Sequence, residues 1–396
     1  MEHHTHPIDQ PNIEVTTPPP YLTGGGKGGG SSFFPPIFNC SNDMALAANV
    51  RQYFPPKRIM QMEEDLADLA NYWPEGPWGW SLATKQKYKQ MGIPADELPS
   101  DEHLNLLRQL SSREFACTYI KDMLAELQDS RLLGQQMHFC KQLPQPSTIP
   151  PVTPLAIEGE RGKGERGSFT LPHSEGWNGS PYIFKSPWSS SGRGVFVSDT
   201  LDEKTTTRLQ GYINTQGGYA MDKFYSNKVL DFAMEFLVHP QTQEAEFIGY
   251  SVFHAAENGA YGYNYVESQE KLKSRIDIDD SLLQTLIQYH KKHLTEHLTH
   301  PIIQHNSGVT TPPTYLTGGG KEGGSFPLFV GIDMLKCSDG TIHPCIEINL
   351  RMNMGILAIL LHKQFGDNAT VALTPQREHG FQAVIDAGKL MITFRK

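Results

Sequence analysis

A chain of 396 residues, 38% hydrophobic and 19% charged, is long enough to bury the cores of two or three domains and lacks the composition of a disordered polymer. Its formal charge of −9 argues against bulk attraction to nucleic acid or anionic lipid, while leaving room for a local basic pocket. Five cysteines with no CxxC pair argue against a disulfide framework and fit a reducing cytosol.

The opening MEHHTHPIDQ has no apolar stretch of the signal-peptide kind, and the run GILAILL is too short to cross a bilayer, so a cytoplasmic protein is expected. Residues 15–27, VTTPPPYLTGGGK, return at 309–321 as VTTPPTYLTGGGK. A glycine run with one lysine invites a phosphate-loop reading, but that loop is G-x-x-x-x-G-K-[ST] and opens a helix. Here Tyr21 and Tyr315 stand at the first glycine position, and Gly28 and Glu322 follow the lysines. The glycine runs therefore read as surface loops, with 1–32 a low-complexity extension.

From residue 33 the chain becomes globular. FFPPIFN reads as a short buried strand, and MALAANVRQYF and MEEDLADLANYW read as helices. Residues 101–128, with leucines at 104, 106, 107 and 110, read as helical. The linker LPQPSTIPPVTP and the loop EGERGKGERGS follow. Next comes a β-rich half: SPYIFKSPW, GRGVFVS, AMDKFY, LDFAMEFLV and AEFIGYSVFHA. GAYGYNYVES reads as a Tyr/Gly/Asn-rich loop suited to line a substrate site, and SLLQTLIQYHKKHLTEHL as a helix. FPLFVGIDMLK and TIHPCIEINL form a hairpin about CSDG, with helices expected at 352–363 and 376–388. The pattern predicts an α/β domain over 33–148, with a linker helix, and an α+β domain with antiparallel sheets over 149–396, interrupted by loop insertions at 158–168 and 299–325.

Two segments carry chemistry. In YIFKSPWSSSGRGVFV a strand delivers Lys185 to Ser189, Ser190, Ser191, Gly192, Arg193 and Gly194, and a second strand follows at once. Small residues let backbone N–H groups approach phosphate oxygens, and the lysine and arginine add charge. In GIDMLKCSDGTIHPCIEINLR, Glu347 and Asn349 are two apart on one strand and share a face. Folding about Asp339–Gly340 brings Asp333 opposite Glu347, so two carboxylates and an amide converge as hard oxygen donors of the kind Mg2+ takes. Arg351 follows, suited to a phosphate or carboxylate.

A strand lysine before a Ser/Gly-rich loop, an acidic hinge, then Asp…Glu-x-Asn-x-Arg resembles the ATP-grasp superfamily. KSPWSSSGRGV and EINLRMNMG carry the resemblance over about 110–396, and FNCSNDMALAANV with YFPPK resembles the opening of an uncharacterised bacterial branch. The resemblance implies a pre-ATP-grasp domain over 33–148 and an ATP-grasp domain over 149–396. It implies Lys185 on the ATP phosphates, 189–194 as a loop closing over them, and Met221, Asp222 and Lys223 at the adenine hinge. Asp231 would hold the ribose hydroxyls, with Glu235 sharing that role. Asp333, Glu347 and Asn349 would hold one or two Mg2+ (or Mn2+), Arg351 would face the transferred phosphate, and Arg113 would add a phosphate contact. Lys185, Arg193 and Arg351 are the implied catalytic set. Many relatives carry arginine two residues before the metal Asp, whereas Gly331 stands there in this chain.

The implied activity is an ATP- and Mg2+-dependent carboxylate–amine ligase working through an acyl phosphate. Its partners would be a small-molecule or peptide carboxylate and an amine, with no nucleic acid or membrane. The alternatives are phosphotransfer to an alcohol on the same fold, and a non-catalytic nucleotide-binding module.

Overall fold

The computed structural model describes residues 34–73, 75–144, 181–189, 192–239, 242, 244–255, 261–299, 327–367, 369–376, 380–386 and 391–393. Both copies of the repeated peptide, the 158–168 loop, Ser190 and Ser191 lie outside the described residues.

The first part is helical: α1 (Asn42–Ala48), α2 (Lys57–Asp65), a 3-10 turn (Ala67–Tyr72), α3 (Leu82–Gln90), α4 (Asp101–Leu110) and α5 (Arg113–Leu127). Helix α1 stops where Asn49 turns left-handed at φ 50°. FFPPIFN does not become a strand. Two prolines remove donors from it, and what forms is one bridge, Ile37 to Pro77. The α/β expectation for 33–148 therefore changes in detail. The strand found in that stretch, β1 (His138–Cys140), pairs with a strand of the later half.

The helical stretch expected over 101–128 forms, as the two helices α4 and α5. Ser111 and Ser112 break it, and Ser112 caps α5 by accepting from the Phe115 N–H. The break fixes where Arg113 stands.

The later half comprises β2 (Tyr182–Lys185), β3 (Val195–Ser198), α6 (Glu203–Gln216), β4 (Tyr219–Lys223), β5 (Lys228–Val238), β6 (Ala245–Ala255) and β7 (Tyr261–Val266). It continues with α7 (Gln269–Ile276), α8 (Asp280–Thr299), β8 (Leu328–Cys337), β9 (Ile342–Asn349), α9 (Met354–Phe365), β10 (Ala369–Gln376), β11 (Gly380–Asp386) and β12 (Met391–Thr393). Two antiparallel sheets result: a four-stranded one ordered β1-β4-β2-β3 and an eight-stranded one ordered β12-β11-β10-β7-β6-β5-β8-β9. The helix expected over 376–388 is instead the end of β10 and the strand β11. Short apolar runs such as FQAVI suit either period, and pairing with β10 decides for strand. GAYGYNYVES is likewise a strand from Tyr261 to Val266, and part of it lines the cavity described below.

Alternation along β5 sorts the sheet into two faces. Phe232, Met234 and Phe236 are buried in one cluster with Ile332 and Met334 of β8 and Leu283 and Leu286 of α8. Asp231, Ala233 and Glu235 point the other way. That cluster also takes in Phe34, Trp80 and Leu104, so the helices before β1 and the large sheet share a continuous core. The small sheet closes over α6 through Tyr182, Phe184, Leu209, Tyr219 and Met221.

Candidate active site

A cavity of about 1370 Å³ opens between the two sheets. Strand register places its polar groups. On the large sheet, Asp231 pairs with Leu335, Ala233 with Asp333, and Glu235 with Gly331; Asp333 pairs with Glu347, and Gly331 with Asn349. Directly opposed residues in an antiparallel ladder share a face, so Asp231, Glu235, Asp333, Glu347 and Asn349 project together. The hairpin predicted about Asp339–Gly340 forms, with Gly340 at φ 82° and its N–H donating to Cys337 O at 3.0 Å. From the small sheet, Ile183, Lys185, Val195, Val197 and Asp222 line the opposite wall.

The two walls are joined by Arg113, which is 3% exposed. Its Nη1 donates to Ser186 O at 2.6 Å and Ser189 Oγ at 2.8 Å, and its Nη2 donates to Glu347 Oε2 at 2.6 Å. A single guanidinium thus ties the glycine-loop base to the carboxylate hairpin. Lys185 stands beside it. Burial and the neighbouring Arg113 charge pull the lysine pKa below its ordinary value, while Glu347, Asp222 and Asp333 oppose the fall.

Asp333 is the converse case. Burial, then the charges of Glu347 and Glu235, push its carboxyl well above the ordinary range. Asn349 Nδ2 donates to its Oδ2 at 3.2 Å. Among the described residues no three His, Cys, Asp or Glu side chains gather as a metal cluster. The candidate set is two carboxylates and an amide. These crowded oxygens fit a hard dication, which would relieve the mutual repulsion that raises Asp333.

Arg351 is held by α1. Its Nε donates to Asp43 Oδ1 at 3.0 Å and its Nη2 to Asp43 Oδ2 at 2.8 Å, with a further bond from Nη2 to Asn349 Oδ1 at 2.9 Å. Burial works against this charge, and the Asp43 carboxylate overrides it, raising the pKa. Asp43, Arg351, Asn349 and Asp333 therefore form one hydrogen-bonded chain, and the last three of them line the cavity.

The glycine loop is closely packed. Gly192 and Gly194 have φ of 73° and 69°, and a Cβ on Gly194 would overlap Ser186 Oγ. Ser186 N–H donates to Gly194 O at 2.8 Å. Arg193 is exposed and reaches Met44 Sδ of α1 at 3.7 Å.

At the hinge, Asp222 Oδ1 accepts from the Lys223 N–H at 2.7 Å, and Oδ2 lies 2.9 Å from Nε2 of buried His343. Lys223 and the residues to Ser226 line the cavity. Met221 instead belongs to the small-sheet core with Phe184 and Leu209. Asp231 sits at the rim, bonded by Lys228 Nζ at 2.6 Å. Glu235 is four residues further along β5, roughly 13 Å away at strand spacing. It is bonded by Ser251 Oγ at 2.7 Å and Asn353 Nδ2 at 2.8 Å. That placement separates it from the ribose position expected of it.

Sequence reading passed over Asp43, Ser251 and Asn353 and gave Arg113 a peripheral place. Two serines inside a leucine-periodic run are a cap signal that finds Arg113. The buried polar trio Ser41, Asn42 and Asp43 was visible only as a turn.

No family model matches the chain, and no curated protein matches it. Among solved structures it is similar to a biotin carboxylase–β,γ-ATP complex from Campylobacter jejuni, at 12% identity and TM-score 0.36, over 78% of this chain and 57% of that one. An N5-carboxyaminoimidazole synthetase from Staphylococcus aureus with ADP is similar at 10% identity and TM-score 0.40, over 87% of this chain and 83% of that one. A D-alanyl-alanine synthetase A from Vibrio cholerae is similar at 11% identity and TM-score 0.28, over 47% of each chain. The chain thus spans little more than half the length of the biotin carboxylase, 57%.

Proposed function

We propose that this chain is an ATP-grasp enzyme, a Mg2+-dependent ligase that activates a carboxylate as an acyl phosphate for attack by an amine. The observation that carries the reading is the convergence on one cavity of Lys185, Arg113, Ser189, Gly192 and Arg193 from one side with Asp333, Glu347 and Asn349 from the other. Anion-binding cations facing hard oxygen donors across a cleft suit a nucleoside triphosphate.

In this reading Lys185 and Arg113 hold phosphate oxygens, and the backbone of 192–194 covers them. Asp222 to Ser226 border the base and Asp231 reaches the ribose. Asp333, Glu347 and Asn349 would hold Mg2+, which when bound neutralises phosphate charge. Arg351, oriented by Asp43, faces the phosphoryl being transferred. Positioning and preset charge supply most of the rate enhancement.

Hydroxylamine trapping tests the chemistry. Purified protein with Mg–ATP is screened against a panel of carboxylic acids, and ADP and hydroxamate are read together. A hydroxamate formed in step with ADP supports the acyl phosphate. ADP release driven by an alcohol, with no hydroxamate from any acid, would replace ligation with phosphotransfer.

A further inference from the structure

Past the proposed metal carboxylates, on the side away from Asp231, the cavity ends at Glu235. This carboxyl is 1% exposed, yet it lines the cavity together with Ser251, Asn353 and Gly355. Its hydrogen bonds have a fixed sense. Asn353 Oδ1 caps α9 by accepting from the Ile356 N–H at 2.8 Å, so its Nδ2 must face Glu235 Oε2 as donor. Ser251 donates to Oε1. Two donors present Glu235 as an acceptor, leaving lone pairs for one more donor.

Among the described residues the nearby cations already have carboxylate partners. Arg351 is committed to Asp43 and Arg113 to Glu347. Among the described residues Glu235 has no ion pair. Space is kept by glycine: a Cβ on Gly331 would stand 2.6 Å from Glu235 Oε2, and one on Gly355 would overlap Oε1. A side chain at position 331 or 355 would therefore crowd Glu235, and glycine at both leaves its carboxylate open.

A second observation lies on the same sheet face. Asn264, 1% exposed, lines the cavity, and its Nδ2 has no partner among the described residues. It pairs with Phe253, so it is a diagonal neighbour of Ser251, roughly 7–8 Å off. An unpartnered buried donor calls for an acceptor from a ligand.

Resting on the ligase reading, we infer that the second substrate is a primary amine whose ammonium docks on Glu235 between Ser251 and Asn353, with an oxygen acceptor farther along its chain bonded by Asn264. In the reaction Glu235 takes one ammonium proton and frees the nitrogen lone pair. The C–N bond forms as the acyl C–O bond to phosphate breaks with its electron pair on oxygen. The second nitrogen proton leaves with phosphate as HPO4 2−, and protonated Glu235 discharges to water.

The probe is glycylglycinamide, compared with its N-acetyl derivative, which keeps the oxygens and lacks the ammonium. Both are titrated by NMR at pH 8 into the full chain, with and without Mg–ADP. Glycylglycinamide should bind at least tenfold tighter than the acetylated peptide, and Glu235→Gln should erase the difference. Ser251→Ala and Asn264→Leu, which keep the carboxylate, should each weaken glycylglycinamide several-fold and guard against a misfolded Glu235→Gln. Equal binding of the two peptides, or an ammonium preference that survives Glu235→Gln, would overturn the inference. Mg–ADP titrated alone in the same series tests the nucleotide reading separately. Its failure leaves the peptide comparison on the protein alone still decisive for Glu235.

Discussion

Lys185 stands beside Arg113 in a largely buried wall, where burial and the neighbouring guanidinium lower the lysine pKa, a shift that a further anion would offset. In the proposed site a triphosphate would supply that anion. Each charge-assisted bond lost is worth about 1.5–3 kcal/mol, so Lys185→Met should weaken Mg–ATP by about tenfold to a hundredfold in calorimetric titration. An affinity within twofold of wild type would remove Lys185 from the site. Glu235 makes a different prediction. Burial lifts its pKa to about 7 against 4.5 in the unfolded chain. Its stabilising contribution is therefore full below pH 4.5 and is lost as pH rises through 7, a change on the order of 3 kcal/mol. Glu235→Gln cannot ionise, so urea melts should show the variant gaining on wild type across that window. Parallel pH profiles would contradict the burial account. Lys185, Asp333, Glu347 and Asn349 were legible because each interrupts an apolar strand at a fixed spacing. Asp43 was not, since a bond between residues 43 and 351 leaves no mark in either local sequence.

At the scale of elements, the period-2 runs that became β2 to β6, β8 and β9 were all readable, and so was the hairpin that brings Asp333 to Glu347. The failures share a cause. FFPPIFN, GAYGYNYVES and 376–388 are short segments whose state is set by partners distant in sequence, and local propensity yields to those partners. Residues 101–128 are helical as the leucine spacing implies, and a serine pair within that run caps a second helix. The glycine loop between β2 and β3 gives the sharpest element-scale test. Gly194→Ala meets both a left-handed φ of 69° and the Ser186 hydroxyl. It should cost about 1–3 kcal/mol in urea denaturation and weaken nucleotide more than it destabilises the fold. A variant as stable as wild type with unchanged nucleotide affinity would show the loop to be a plain connection.

Across the whole molecule, the early helices do more than precede the sheets. They share its core, send Arg113 into the cavity and hold Arg351 through Asp43. The Asp43–Arg351 pair is buried at both ends, with side chains 10% and 13% exposed. Removing one partner should cost about 3–5 kcal/mol, because the other charge is left buried and unpaired. Asp43→Ala and Arg351→Ala should accordingly each lower stability by that order, and the double variant by clearly less than their sum. Additive losses would mean the contact carries no coupling. The repeated VTTPPxYLTGGGK peptide lies outside the described residues and outside this account of the cavity, so deleting residues 2–30 should leave Mg–ATP affinity unchanged. The central claim is that Lys185, Arg113 and the Asp333–Glu347–Asn349 hairpin make one Mg–ATP site, and calorimetric titration of Mg–ATP into wild type and Glu347→Ala tests it most directly. Saturable, Mg2+-dependent binding to wild type that falls at least tenfold in the variant is expected. No binding to wild type, or equal binding to both, would contradict it.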